Sequence, residues 1–288
     1  MAYFYLAAAM ITGMVNTLGG TLYNRKVSDC KDTTAIYNLA HIISVIIGWA
    51  IFFAVTPDFS LSVLPYSILF GVCYSISCGC LVPAYKNGSA ALTGLILQLS
   101  VISASVWGFI FWNSPVTPLS VGGIVLVVVS MVLCFYEKGG EKKKITGKWI
   151  FFVSLVFIGN STCTIVQKTQ QLDFDGKYGP QFMLLSVLIS SIIYIIVFAK
   201  SDKTDIKKTL RRGWYFPVIA GSCNTVMNLF VILLATSSLS PTVVYSTLGV
   251  GGITIATLFS AFVLKEKIEK HQYIGIAVGA LAVLILSL

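Results

Sequence analysis

The sequence predicts an all-α membrane protein with ten transmembrane helices, arranged as two inverted five-helix repeats. Three observations lead to this prediction: a very apolar composition, ten apolar stretches of membrane-spanning length, and short motifs that recur about 150 residues apart. Of the 288 residues, 56% are hydrophobic and only 11% are charged. Because a soluble domain usually carries about 25% charged residues to cover its surface, this chain requires membrane lipid around it.

Short polar segments separate the apolar stretches, each of which is close to the ~20 residues needed to cross a ~30 Å hydrocarbon core. No basic segment precedes the first stretch, so it is expected to be a retained helix and not a cleaved signal. No connection is long enough for a soluble domain, and any site must therefore lie in the membrane. The predicted helices cover residues 3–22, 34–55, 63–84, 90–112, 119–136, 148–167, 180–199, 214–236, 241–263 and 271–288.

The basic residues are distributed very unevenly among the loops. Numbered by the helix that each loop follows, the odd loops hold 18 of the 20 Lys and Arg, and the sixth loop holds the other two, Lys168 and Lys177. The positive-inside rule then predicts a multi-pass protein of the cell (plasma) membrane with cytoplasmic odd loops and both termini outside. The same bias accounts for the net charge of +9. No basic stripe interleaved with aromatic residues is present, so no nucleic-acid partner is expected.

Similar motifs occur at equivalent points of the two halves. "GVCYS" begins at Gly71 and "GSCNT" at Gly221, while Gly123 and Gly275 begin similar glycine-rich stretches 152 residues apart. The chain is therefore predicted to contain a first repeat at 1–147, with helices one to five, and a second at 148–288, with helices six to ten. Since five is odd, the second repeat enters the membrane inverted. Inverted repeats are typical of secondary transporters that work by alternating access.

The stretch "LSPTVVYSTLGVGGITIATLFSAFVLKEKIEKHQYIGIAVGALAVLIL" (239–286) resembles the C-terminal half-repeat of the drug/metabolite transporter superfamily, of the EamA type. The resemblance is carried by Ser240-Pro241, by Leu264-Lys265-Glu266, and by Gly275 and Gly279. In the first half, "FIFWNSPVTP" lacks the glutamate of this pattern. The resemblance implies a ten-helix fold, metabolite transport, and a central cavity built from helices one, three, four, six, eight and nine.

Polar side chains without charge follow the helical repeat in those same helices. Examples are Asn16 in helix one and the pair Asn224 and Asn228, four residues apart in helix eight. Amides are costly to bury in lipid, and aromatic rings can stack on a substrate. The candidate substrate-binding residues are Asn16, Tyr74, Gln98, Trp107, Asn160, Gln167, Asn224, Asn228 and Tyr245. Each also has an alternative interpretation as an ordinary helix-packing residue.

Every Asp and Glu is predicted to lie in a loop or at a helix end, and His41 is the one titratable residue expected within a helix. Proton-coupled export of cations usually needs an embedded carboxylate, so the expected substrate is a neutral, zwitterionic or weakly anionic small molecule, such as an amino acid or nucleobase. His41 lies in helix two, which the family places at the periphery, and a structural role is expected for it.

Other classes of function find little support in the sequence. Cys78 and Cys80 are two residues apart and lie on different helix faces, unlike paired metal ligands. Neither a phosphate-binding loop nor a dinucleotide fingerprint is present, so the chain is not expected to be an enzyme and no cofactor is expected. A lipid-linked substrate flippase or a membrane scaffold of the same fold remains the alternative to metabolite transport. Gly275-x-x-x-Gly279 leaves both a monomer and a homodimer open.

Overall fold

The structure is a computed structural model that describes residues 1–88, 90–136, 146–262 and 269–287. Its regular elements are eleven α-helices and a 3-10 turn at Leu61–Val63, with no strand in these ranges. The predicted all-α class is confirmed. The helices are α1 (Ala2–Lys26), α2 (Thr33–Val55), α3 (Leu64–Asn87), α4 (Ala90–Phe111), α5 (Pro118–Phe135), α6 (Gly147–Asp173), α7 (Gly179–Ala199), α8 (Ile206–Gly213), α9 (Tyr215–Ala235), α10 (Pro241–Phe262) and α11 (Lys270–Ser287).

Seven of the helices in the described ranges, α1–α4, α6, α7 and α9, are long and apolar enough to cross a membrane. Three apolar helices are shorter, at Pro118–Cys134, Pro241–Ile255 and Lys270–Leu286. The chain is therefore a multi-pass membrane protein, while the count of ten spans stays a prediction. Helix α8 falls in a segment predicted as loop, because four of its eight residues are Lys or Arg.

Local sequence explains where several helices begin and end. The Thr117 hydroxyl accepts a hydrogen bond from the Ser120 amide at 3.0 Å, and Pro118 occupies the first helical position of α5. This is a capping box followed by the residue best suited to the first turn. After α6, Gly176 adopts φ +79° and donates its amide to the carbonyl of Gln171 at 2.8 Å. A residue with a side chain rarely adopts this conformation, so glycine is required at the turn.

The chain divides into two compact units, each of which combines helices from both predicted repeats. The first unit consists of Met1, Tyr3–Ser75 and Val166–Thr236, and the second of Ala2, Ile76–Ile165 and Ser237–Leu288. The predicted Leu264-Lys265-Glu266 motif lies outside the described residues, as do the basic residues of the fifth loop between 137 and 145.

Two glycines of the recurring motifs bring helices of the first unit into close contact. A Cβ added to Gly71 on α3 would lie 2.6 Å from the carbonyl oxygen of Ser186 on α7. A Cβ added to Gly221 on α9 would lie 2.6 Å from the carbonyl oxygen of His41 on α2. Ser190 reinforces the first contact by donating to the carbonyl of Gly71 at 2.8 Å. Small residues at such positions allow membrane helices to approach closely.

The second unit has a reciprocal contact between α5 and α11. Gly123 near the start of α5 packs against Leu286 near the end of α11. Gly275 near the start of α11 packs against Cys134 near the end of α5, where an added Cβ would lie 2.7 Å from the Cys134 Sγ. Ser130 donates to the carbonyl of Gly275 at 2.7 Å. This glycine-bearing face is thus covered within the chain.

Candidate functional site

Three of the predicted amides form a hydrogen-bonded chain in the first unit. Gln167 of α6 donates from Nε2 to the Oδ1 of Asn228 on α9 at 3.3 Å. Asn228 in turn donates from Nδ2 to the carbonyl oxygen and to the Oδ1 of Asn224, at 2.9 and 3.2 Å. The four-residue spacing places both asparagines on one face of α9. The shared face of Asn224 and Asn228 follows from their spacing, whereas the bond to Gln167 depends on how α6 packs against α9.

The chain of amides leaves two polar groups available at its ends. Within the described ranges, neither the Oε1 of Gln167 nor the Nδ2 of Asn224 makes a hydrogen bond. Both residues are largely buried, with 4% and 7% of their surface exposed, but neither of these two atoms is among the fully enclosed side-chain atoms that lack a partner in the described ranges. One acceptor and one donor are therefore held ready for a polar ligand.

Asn16 of α1 is joined to a titratable side chain. Its Oδ1 lies 3.0 Å from the Nε2 of His41 on α2, and the His41 ring stacks on Tyr37 with 5.8 Å between ring centroids. The Nδ2 of Asn16 makes no hydrogen bond to the residues that the structure describes. His41 thus fixes the orientation of the Asn16 amide through its Oδ1, and the Nδ2 of the same amide stays available.

Contacts of α1 with α9 fix the level of Asn16 in the first unit. A Cβ on Gly13 would lie 2.9 Å from the Sδ of Met227, and one on Gly19 would lie 2.8 Å from the Cβ of Ala220. The two helices therefore run antiparallel, and Asn16, midway between the glycines, lies level with Asn224. Asn16, Gln167 and the two asparagines of α9 therefore share one region of the first unit.

The predicted residue Tyr74 is part of an aromatic cluster in the first unit. Its ring stacks on Phe70 with 6.0 Å between centroids, and Phe70 meets the edge of Phe182 at 5.3 Å. The tyrosine therefore packs against the α3–α7 contact.

Two more amides lie in the second unit. Asn160 of α6 donates to the Oγ of the fully buried Ser100 on α4 at 2.6 Å. Gln98 of α4 lies beside α10, where a Cβ added to Gly252 would be 3.6 Å from its Nε2. The Oδ1 of Asn160 and the whole Gln98 amide lack hydrogen-bond partners in the described part of the chain. The second unit therefore carries available polar groups of its own.

The two predicted aromatic residues of the second unit differ in exposure. Tyr245 is 1% exposed, whereas Trp107 is 37% exposed and stacks on the exposed Phe111 with 4.1 Å between centroids. Tyr245 is part of the interior of the unit, and Trp107 lies on its surface.

Sequence reasoning missed a buried polar group at the end of α6. Lys168 was predicted to lie in the sixth loop, but α6 continues to Asp173 and Lys168 is only 5% exposed. Its Nζ donates to the carbonyl of Ala235, the last residue of α9, where helix carbonyls lack partners within the helix. Gln170 and Gln171 are buried beside it. The continuation of α6 could have been predicted, because no Pro or Gly lies between Asn160 and Gly176, but the partner of the Lys168 amine could not.

The described residues contain no group of three or more His, Cys, Asp or Glu side chains that could hold a metal ion. The seven cysteines are not paired with each other. The polar chemistry of the first unit's site is therefore that of amides, hydroxyls and one imidazole.

Comparison with known proteins places this fold in a family. The EamA-like transporter family matches residues 146–288. The glucose uptake protein GlcU of Bacillus subtilis (strain 168) is 23% identical over 253 residues, which cover 84% of this chain and 83% of that protein. One solved crystal structure has the same fold, with a TM-score of 0.71 over 99% of this chain and 95% of the other at 12% identity. The chain is a membrane transporter that belongs to the drug/metabolite transporter superfamily, with an EamA-like second half.

Proposed function

We propose that this chain is a secondary transporter for a small neutral sugar, and that the amides of the first unit form part of its substrate site. The observation that carries the proposal is the chain Gln167–Asn228–Asn224, which ends in one free acceptor and one free donor. A sugar hydroxyl both accepts and donates a hydrogen bond, so a hydroxylated ligand satisfies both ends. The name of the B. subtilis relative, a glucose uptake protein, supports a sugar over an amino acid or a nucleobase.

The inverted repeat is part of this proposal, and the glycine contacts support it. Gly123 contacts Leu286, and Gly275 contacts Cys134. Gly275 lies 152 residues after Gly123, and Leu286 lies 152 residues after Cys134. Exchanging the two repeats therefore converts one α5–α11 contact into the other. In the first unit, the same exchange relates the contact of Gly71 with α7 to the contact of Gly221 with α2. Inverted repeats of this kind allow the two halves to rock around a central site.

Helix directions support ten spans and the predicted topology. In an alternating ten-span chain, α1–α7 are spans one to seven and α9–α11 are spans eight to ten. Spans of equal parity then run parallel and spans of unequal parity run antiparallel. Contacts within each unit follow this rule. Three pairs of equal parity run parallel: α3 with α7, α2 with α9, and α4 with α6. Three pairs of unequal parity run antiparallel: α1 with α9, α4 with α10, and α5 with α11. The concentration of basic residues in the odd loops supports the orientation of this arrangement, and we propose cytoplasmic odd loops and both termini outside.

Ligand-dependent thermal stability of the purified protein tests the substrate class. A ligand that binds only the folded state stabilises it by about 2.7 kcal/mol at a concentration of 100 times Kd. We expect glucose or a related monosaccharide to raise the melting temperature, and Gln167→Leu to abolish the shift because it removes the free acceptor. Thr56→Val, a change at an exposed helix end, is the matched control and should keep it. A shift with amino acids or nucleobases and none with any sugar would refute the proposal.

A further inference from the structure

We propose that α8 is an interfacial helix whose outward face binds the headgroup of an anionic phospholipid. This site is separate from the substrate site and does not depend on the proposed transport function. It is built from Lys207, Arg211, Leu210 and Trp214, together with the ion pairs that fix the opposite side of the helix.

One side of α8 packs on the first unit. Thr209 is fully buried, and a Cβ added to Gly213 would lie 3.0 Å from the ring of Tyr23 on α1. These two residues are four apart and share one face of the helix. The contact fixes the rotation of α8 about its axis, so the directions of its remaining side chains are set.

A second side of α8 is held by ion pairs with the loop between α1 and α2. Arg212 binds both carboxylate oxygens of Asp29 at 3.0 Å, and Lys208 lies 2.9 Å from the same carboxylate. The hydrogen bond from Lys208, with that from Arg212, lowers the pKa of Asp29 to about 2. The charges of Lys208 and Arg212 are therefore already matched by an acidic partner within the protein.

The remaining side of α8 carries cations next to apolar residues. Lys207 and Arg211, also four apart, are exposed and have no ion pair among the described residues. Viewed along the helix axis, Leu210 and Trp214 lie between these two cations and the buried face of α8. They are 41% and 57% exposed. Apolar residues flanked by cations are the pattern of a helix that lies in the membrane interface. Trp is also enriched at headgroup level.

The charge on this side identifies its occupant. The two cations without an ion pair among the described residues, Lys207 and Arg211, require an anionic partner. A free phosphate ion satisfies the cations but leaves Leu210 and Trp214 in water. An anionic phospholipid satisfies both, because its phosphate meets Lys207 and Arg211 while its acyl chains cover the two apolar side chains.

Brominated lipids provide a direct test in reconstituted vesicles. Brominated phosphatidylglycerol or brominated phosphatidylcholine is added, and quenching of Trp214 is obtained as the difference between wild type and Trp214→Phe. We expect phosphatidylglycerol to be preferred near Trp214, and the preference to fall about fivefold for each charge removed in Lys207→Gln and Arg211→Gln. Lys207→Arg with Arg211→Lys should keep the preference. Lys177→Gln, an exposed charge change in the α6–α7 loop, should keep it as well.

Each of three results would overturn the proposal. The first is equal quenching by the two lipids in wild type. The second is an undiminished preference in folded Lys207→Gln and Arg211→Gln proteins. The third is a change in Trp214 fluorescence on addition of inorganic phosphate with no quenching by brominated chains, which indicates a site for a free anion.

Discussion

Replacing Gly221 by alanine is expected to destabilise the protein, although alanine is normally the better helix former. The added Cβ would lie 2.6 Å from the backbone oxygen of His41 and 2.8 Å from the Cβ of Ser44. A backbone carbonyl cannot rotate away as the end of a flexible side chain can, so α2 and α9 must separate. Gly71→Ala is the equivalent change in the first half and meets the Ser186 carbonyl at the same 2.6 Å.

The size of the effect follows from two opposing terms. Overpacking a close contact costs about 1–3 kcal/mol, and we take the upper part of this range because the obstacle is backbone. Alanine recovers about 1 kcal/mol through its higher helix propensity. The net expectation is a loss of about 2 kcal/mol for each variant. Gly79→Ala on α3 is the matched control, because nothing lies within 4 Å of its added Cβ, and it should stabilise by up to about 1 kcal/mol.

Thermal unfolding in one detergent at one scan rate compares the three variants, since irreversible unfolding makes the midpoint depend on scan rate. Gly71→Ala and Gly221→Ala should melt several degrees below wild type and by similar amounts, while Gly79→Ala melts at or above it. Wild-type melting of Gly221→Ala would refute the close α2–α9 contact. A large difference between Gly71→Ala and Gly221→Ala would contradict the equivalence of the two contacts.

Three further changes have defined outcomes. Asn228→Leu removes the link between Gln167 and Asn224 and should weaken sugar binding about tenfold, corresponding to roughly 1.4 kcal/mol, as measured by thermal-shift titration. Ser130→Ala loses its 2.7 Å bond to the Gly275 carbonyl and should lower stability by about 0.6 kcal/mol, the average for such bonds, in the same melting assay. Asp29→Asn should destabilise equally at pH 5 and pH 8. The depressed pKa of Asp29 means that its stabilisation is present above the usual value of 3.8 and is lost as the pH falls toward about 2, so wild type and Asp29→Asn should converge in melting curves below pH 4.

The helical class and the shared face of Asn224 and Asn228 could be predicted because both depend on local spacing. Apolar stretches of fixed length identify membrane helices, and the four-residue interval between Asn224 and Asn228 places them on one face whatever surrounds them. These features need no knowledge of tertiary packing.

Features that depend on tertiary contacts were not predictable in the same way. Lys168 looks like a loop residue, since a lysine in a span is unfavourable unless its amine finds a partner. That partner is the carbonyl end of α9, which is 67 residues away in sequence. Helix α8 looks like loop because its stability comes from Tyr23 and Asp29 in distant elements. The Asn16–His41 bond likewise required the packing of α1 on α2.

Counterflow in proteoliposomes tests the central claim most directly. Vesicles that contain the purified protein are loaded with unlabelled glucose and diluted into labelled glucose. A transporter that alternates access to one sugar site should accumulate label transiently above equilibrium, and the folded Gln167→Leu variant should not. Uptake no faster than in protein-free vesicles, with the protein folded and a panel of other monosaccharides also inactive, would contradict the account.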